Sequence, residues 1–411
     1  MRTRFTPSLF LIGILGFYSG LPLALTASTL TAWLADAKIE RAAIGLFAAV
    51  GMPYALKFLW APMMDGLQIP ILKRLGRRRS WLLLTQLLLT IAILAMGSFN
   101  PATSVGATAI AALLVATFSA TQDIVIDAYR VERLTPEEQG LGAAYATFGY
   151  RIGMLISGAG ALALADLFGW QLTYWAMAAL VALSMVLTLF AKEPEVVGQT
   201  PPKNMSEFIA HAVVAPLRDF MTRPNWLALL LFVIIYKLGD ALIGAMFNPF
   251  LLDLGFTKMQ IAEIVKLYGV AAALAGTFLG GWLVVRIGAV RTILLGGILH
   301  SAANLLLIPL CASGANAMFL AICIALINIT GGIGLAAFIA YLAALCKRTY
   351  TATQYALLSA LSAVGRTFLS TPSGWLATTF GWPIFFMICC ALTLPGLALL
   401  WWIERRQRRL H

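Results

Sequence analysis

Asp123, Asp127 and Arg130 stand at i, i+4 and i+7 in the stretch 119–130, which closes a long apolar run. On a helix that spacing puts two carboxylates and a guanidinium on one stripe. Ionisable groups are costly in a bilayer, so they face one another or a water-filled path. Such a stripe suits a proton relay, with Asp123 and Asp127 as proton-coupling groups and Gln122 beside them as a substrate contact. Asp127 could instead be tied to Arg130 or Arg151. Tyr150 and Arg151 come near the start of the next apolar run. An arginine there can grip an anionic substrate group with two hydrogen bonds. Arg366 holds the matching place in the second half; its alternative is a salt bridge to an acid such as Asp240.

Other charges lie inside apolar runs. Lys237 and Asp240 are one turn apart, as are Glu263 and Lys266. Each pair could simply cancel charge within a helix. Lys237 and Asp240 could also open when substrate or a proton binds. Lys57 is alone in its run and needs a partner, with Asp123 or Asp127 the expected one. In the stretch 16–33, Gly20 and Pro22 weaken helix, while Thr26, Thr29 and Trp33 share a face. Hydroxyls beside an aromatic ring suit a sugar, and helix packing is the alternative use. The sequence has no Walker motif, metal-ligand cluster or nucleophile elbow. It is therefore expected to be no enzyme and to need no metal or cofactor. His211, His300 and His411 are scattered, and the five cysteines sit in or beside apolar runs as packing residues.

These residues need elements to hold them. The chain has 411 residues, 61% hydrophobic and 11% charged, against about 25% charged in a soluble domain. It reads as an all-α polytopic membrane protein, because the apolar runs are far longer than barrel strands. Twelve transmembrane helices are expected, at 8–35, 41–65, 80–99, 104–130, 140–166, 171–191, 225–252, 259–285, 292–312, 315–346, 352–379 and 382–403. The first run is too long for a signal-peptide core and is expected to remain as a span. Three regions follow: a six-helix bundle over 1–191, a cytoplasmic linker over 192–224 and a second bundle over 225–411. The linker opens with prolines and then carries an amphipathic helix over 206–221 suited to the membrane surface.

With both termini in the cytoplasm, 21 of the 29 basic residues fall on that side and three on the other. The positive-inside rule then fixes the topology. It also explains the net charge of +12 without a nucleic-acid partner.

The halves resemble each other. Gly169-Trp170 matches Gly381-Trp382, Arg151 matches Arg366, and each arginine follows a tyrosine, Tyr145 or Tyr355. Six-span parallel repeats resemble the major facilitator superfamily. So does Gly281-x-Leu283-x-x-Arg286-x-Gly288-x-x-Arg291, whose first-half counterpart is Asp65 followed by Gly76-Arg77-Arg78-Arg79. Val285 replaces the usual acid in the second half. Asp65, Arg77, Arg78, Arg286 and Arg291 are thus expected to form a cytoplasmic gate that holds the outward-facing state.

Closer still, the chain resembles the AmpG-type muropeptide permeases of Gram-negative bacteria. The matching segments are 16–33, Lys57 to Asp65, Gln122 to Ala128, Gly149 to Met154, Val214 to Phe220, Tyr236 to Ala241 and Gln354 to Arg366. The resemblance implies inner-membrane uptake of N-acetylglucosaminyl-1,6-anhydro-N-acetylmuramyl peptides by proton symport and alternating access. Its partners would be that glycopeptide, protons and the lipid bilayer, and it would act as a monomer. Some family members carry two further helices after the twelfth, where this sequence ends. Same-fold alternatives are importers of a ferric siderophore or acetyl-coenzyme A. A non-transporting membrane sensor or assembly factor is the alternative of another class.

Overall fold

The structure is a computed structural model that describes residues 6–40, 47–195, 204, 207, 213–369 and 371–408; side chains at 48, 258, 262, 266, 364–368 and 407–408 fall outside that description. The described residues form helices and turns, with no strand among them. In an apolar solvent a helix satisfies its backbone groups internally, which is why long apolar runs adopt it.

The first span is α1 (Pro7–Thr26) and α2 (Ser28–Asp36), broken at Ala27 with φ −117° and ψ −101°. Gly20 and Pro22, where the sequence suggests weakness, both lie inside α1. Gly20 serves close packing instead: a Cβ there would strike the Tyr150 carbonyl, and one at Gly149 would strike that of Gly13.

The expected span 41–65 is not one helix. Its described part is four short turns, Phe47–Gly51, Met52–Leu56, Lys57–Leu59 and Ala61–Gly66. Pro53 and Pro62 each sit at the start of a helical turn, where the missing N–H ends the preceding one.

Next come α3 (Arg77–Ser98) and α4 (Val105–Arg133). The fifth span is α5 (Gln139–Leu155), a π turn (Ile156–Gly160) and α6 (Ala161–Phe168), followed by α7 (Trp170–Phe190). Of the surface helix expected over 206–221, Ala215–Met221 is helical and most of the rest lies outside the described residues. The seventh span splits at Tyr236–Lys237 into α8 (Trp226–Ile235) and α9 (Leu238–Asp253). Another π turn, Ile261–Tyr268, leads into α10 (Gly269–Ile287). α11 (Ala289–Leu305), α12 (Ala317–Ala344), α13 (Thr351–Leu369) and α14 (Ser373–Arg408) follow, the last being two helices joined through a kink at the non-helical Gly381. Among the described residues, nine helices are long and apolar enough to cross a membrane. One of them, Gln139–Phe190, runs through two expected spans, and α13 is not among the nine.

The chain divides into two compact units. Unit 1 holds residues 1–135, 145–217 and 346–360, and unit 2 holds 136–144, 218–345 and 361–411. In unit 1 the core gathers Leu21, Leu25, Trp33, Ile93, Val115, Tyr174 and Val181. In unit 2, α10 and α12 approach closely because Gly276, Gly280 and Gly332 bring backbone against backbone.

The two halves repeat in detail. Gly76 (φ 92°) and Gly288 (φ 85°) stand at equivalent turns, as do Gly169 (φ 78°) and Gly381 (φ 71°). Only glycine adopts this backbone region without strain. Trp170 Nε1 donates to Asp36 at 2.7 Å in unit 1, and Trp382 Nε1 donates to Asp253 at 3.2 Å in unit 2.

Candidate functional site

The fourth span places the acids. Asp123 Oδ1 accepts a 2.5 Å hydrogen bond from Ser19 Oγ on α1. One turn on, Asp127 lies between two cations: Lys57 Nζ is 4.0 Å from Oδ2, and Arg130 Nη2 is 3.7 Å from Oδ1. Asp127 keeps 30% of its side chain exposed, while Arg130 is 2% exposed. Burying that guanidinium requires partners. A second one is the Tyr355 hydroxyl, which accepts from Nη2 at 2.8 Å, and the Tyr355 ring lies 5.2 Å below Cζ. Lys57 thus meets Asp127, one of its two expected partners.

Gln122 points elsewhere on the helix. It is fully buried, and Nε2 donates to the Tyr18 carbonyl at 2.9 Å. Thr26 bonds back to the Pro22 and Leu23 carbonyls of its own helix. Thr29 Oγ1 donates to the Ser157 carbonyl at 2.6 Å, and Trp33 packs on Tyr174 and Trp170 at ring distances of 4.9 and 5.9 Å. Thr26, Thr29 and Trp33 thus show the alternative use, helix packing in unit 1, and the Gln122 hydrogen bond likewise joins α4 to α1. Tyr54 Oη and Ser119 Oγ, absent from the expected site, are buried beside one another, with Thr26 and Asp123 close to Tyr54.

Arg151 is half-buried beside Tyr150, with no acid in ion-pair reach among the described residues. The Arg366 and Lys266 side chains lie outside the described residues, and Glu263 is exposed.

A second charge cluster gathers at the end of unit 1 expected to be cytoplasmic. Arg78 is fully buried, and its guanidinium reaches Asp65 Oδ1 at 2.7 Å, Glu132 Oε1 at 2.5 Å and the Met64 carbonyl at 2.9 Å. Arg77 donates to the Asp65 carbonyl at 3.0 Å and to Glu132 at 3.2 Å. Glu193 accepts from the Arg78 and Arg79 backbone N–H groups at 2.7 and 3.0 Å. Burial pushes its carboxyl above the usual glutamate range, against those two hydrogen bonds and the Arg78 charge. Asp65 also caps α13: its carboxylate accepts from Ala352 N at 3.2 Å and from Thr353 N and Oγ1 at 2.8 Å each. An anion at a helix N-terminus is favourable. Asp65, Arg77 and Arg78 therefore meet, joined by Glu132 and Glu193, which the sequence motif does not include. Arg286 and Arg291 are exposed; Arg286 lies over the Trp282 ring, and neither meets an acid among the described residues. Val285 leaves them without the acid that the first half has.

In unit 2, Asp240 Oδ2 lies 3.9 Å from Lys237 Nζ, the expected pair. A third member joins the pair: His300 Nε2 is 2.8 Å from Asp240 Oδ1. A lone histidine in an apolar run carries no periodic signal.

Comparison with known proteins agrees with this architecture. The Major Facilitator Superfamily pattern matches residues 12–243 and again 229–411. The anhydromuropeptide permease of Escherichia coli is 43% identical over 389 residues, 94% of this chain and 78% of the relative. The AmpG 4 transporter of Rickettsia felis is 38% identical over 402 residues, 97% of each chain. Among solved structures, the transporter FucP in its outward conformation superposes with a TM-score of 0.68 at 13% identity, covering 97% of this chain and 99% of FucP. The proton:xylose symporter XylE gives 0.65 at 14% identity, covering 96% and 94%. At these identities the two structures speak for the fold alone. The repeated turns, the paired charges within spans and the matches along both halves have one reading: the chain is a multi-pass membrane transporter and belongs to the major facilitator superfamily, in its AmpG branch.

Proposed function

We propose that the chain imports anhydromuropeptides across a bacterial inner membrane by proton symport. The observation that carries this reading is the ladder on α4, where Asp123 is hydrogen-bonded to Ser19 and has no cation in ion-pair reach among the described residues, while Asp127 is held between Lys57 and Arg130. A carboxylate without a bonded cation can take up and release a proton at modest cost. Asp123 is then the proton-exchanging group and Asp127 its fixed neighbour. The anhydromuropeptide carried by the Escherichia coli relative supports this substrate, and its peptide would bring carboxylates. Arg151, beside Tyr150, is the cation positioned for one of them, with Arg366 its counterpart. Lys237 and Asp240 would add contacts from the second half.

In this reading both termini are cytoplasmic, the monomer is the working unit, and twelve spans form bundles over 1–191 and 225–411 joined by a linker at 192–224. The cluster around Asp65 and Arg78 would hold the cytoplasmic gate and release it when the carrier turns inward. Uptake of anhydromuropeptide into membrane vesicles tests the proposal. Accumulation should collapse with a protonophore; equal accumulation with and without one would remove proton coupling.

A further inference from the structure

Asp240, His300 and Lys237 surround a small cavity in unit 2, lined also by Tyr236, Thr330, Gly331 and Thr393. Lys237 occupies the break between α8 and α9, and Asp240 lies in the first turn of α9. The His300 ring comes from α11 and rests against Gly331 of α12, where an added Cβ would lie 3.1 Å from Cε1.

Hydrogen-bond direction constrains the protons here. His300 Nδ1 is 3.0 Å from the Ile327 carbonyl oxygen and 3.1 Å from Thr330 Oγ1. A carbonyl only accepts, and Thr330 gives its own hydrogen to the Leu326 carbonyl at 2.6 Å. Nδ1 must therefore carry a hydrogen. A neutral imidazole has one N–H, which leaves Nε2 bare. Nε2 nevertheless sits 2.8 Å from Asp240 Oδ1, and an ionised carboxylate also only accepts. Two acceptors do not bond at that distance, so one further proton lies between them, on Nε2 or on Oδ1.

We propose that Asp240 and His300 bind this proton as a pair, forming a second proton-binding site in the transporter, and that its release hands Asp240 over to Lys237. The proton leaves to water, and only an N–H or O–H bond breaks. A bare Nε2 then repels the carboxylate, while Lys237 Nζ stands 3.9 Å from its other oxygen. That exchange loosens α9 from α11. Tyr236, Cys389 and Cys390 lie within electrostatic reach of Asp240, and none is charged at neutral pH. Lys237 is the cation positioned to replace the proton. The role in transport rests on the proton-coupled reading above; the protonation itself does not.

Nitrogen-15 NMR of the histidine ring in the purified full-length protein tests it, with His211→Gln and His411→Gln leaving His300 as the single imidazole. The expected result is a protonated Nδ1, a proton shared at Nε2, and one pH step that removes it. Asp240→Asn can donate to a bare Nε2, so it should fix the ring neutral and abolish the step, while Asp240→Glu should keep it. A bare Nδ1 in the otherwise unaltered protein, or a step unchanged by Asp240→Asn, would overturn the proposal. Should Asp240→Asn not fold, the Nδ1 and Nε2 signals of the parent protein decide alone. Asp123→Asn separates the two hypotheses: it should stop uphill uptake and leave the His300 step intact. Vesicle uptake insensitive to a protonophore would sink the transport reading without touching the His300 signal.

Discussion

Gln122 Nε2 donates to the Tyr18 carbonyl, the oxygen that Pro22, four residues on, cannot serve because it has no backbone N–H. A side chain from α4 thereby supplies what α1 lacks. This explains why α1 passes Pro22 intact and breaks only at Ala27. Gln122→Leu would leave a buried carbonyl without a partner, at about 1–3 kcal/mol. The expected result is a lower melting temperature with KM unchanged in the folded fraction. A raised KM at an unchanged melting temperature would instead place Gln122 at the substrate.

Asp123→Asn keeps the size of the side chain and can still bond Ser19, but it cannot carry an exchangeable proton. It should abolish accumulation against a gradient and retain substrate exchange at equilibrium. Counterflow assays and proton-driven uptake in proteoliposomes separate the two. Unimpaired accumulation would clear Asp123 of the coupling role.

Arg78→Ala would remove the guanidinium shared by Asp65 and Glu132, both nearly fully buried beside it, leaving Glu132 to Arg77 and Asp65 to the N–H groups of α13. Breaking a buried ion pair from one side costs about 3–5 kcal/mol. Thermal denaturation should show a large loss. Arg286→Ala, which removes an exposed arginine lying over Trp282, should lose less than about 1 kcal/mol. Equal losses would contradict the placement of these arginines.

Glu193 supplies a pH test. Burial raises its folded-state pKa, so the folded state binds more protons than the unfolded one across that interval. Stability from this group is then full below the ordinary glutamate range and declines as pH rises through the raised value. Glu193→Gln has no such proton. Its melting temperature relative to the parent should climb as pH increases through this window; a flat difference would refute the assignment.

Much of this was legible in the sequence because it is local or periodic. The stripe of Asp123, Asp127 and Arg130 follows from helical spacing, and Gly169 and Gly381 stand out by repetition. Lys57 pairs with Asp127 because a buried lysine has few partners to choose from. Glu132, Glu193, Tyr355 and His300 escaped because their partners come from distant segments, and nothing in the spacing of either member marks the pair. Gly20 misled for a different reason. Low helix propensity and close helix approach call for the same residue, and only the Tyr150 carbonyl beside it tells them apart. The second span misled because its length and hydropathy suit a helix while Pro53 and Pro62 divide it.

Three donors at the start of α13 converge on the single carboxylate of Asp65. They cannot be given up one at a time, because a small rotation of that carboxylate misaligns all of them together. The same rotation withdraws Oδ1 from Arg78. The contact is therefore all-or-none: whatever turns Asp65 releases the start of α13 and takes one partner from Arg78 in a single event, so molecules with only some of these bonds broken should be too rare to detect.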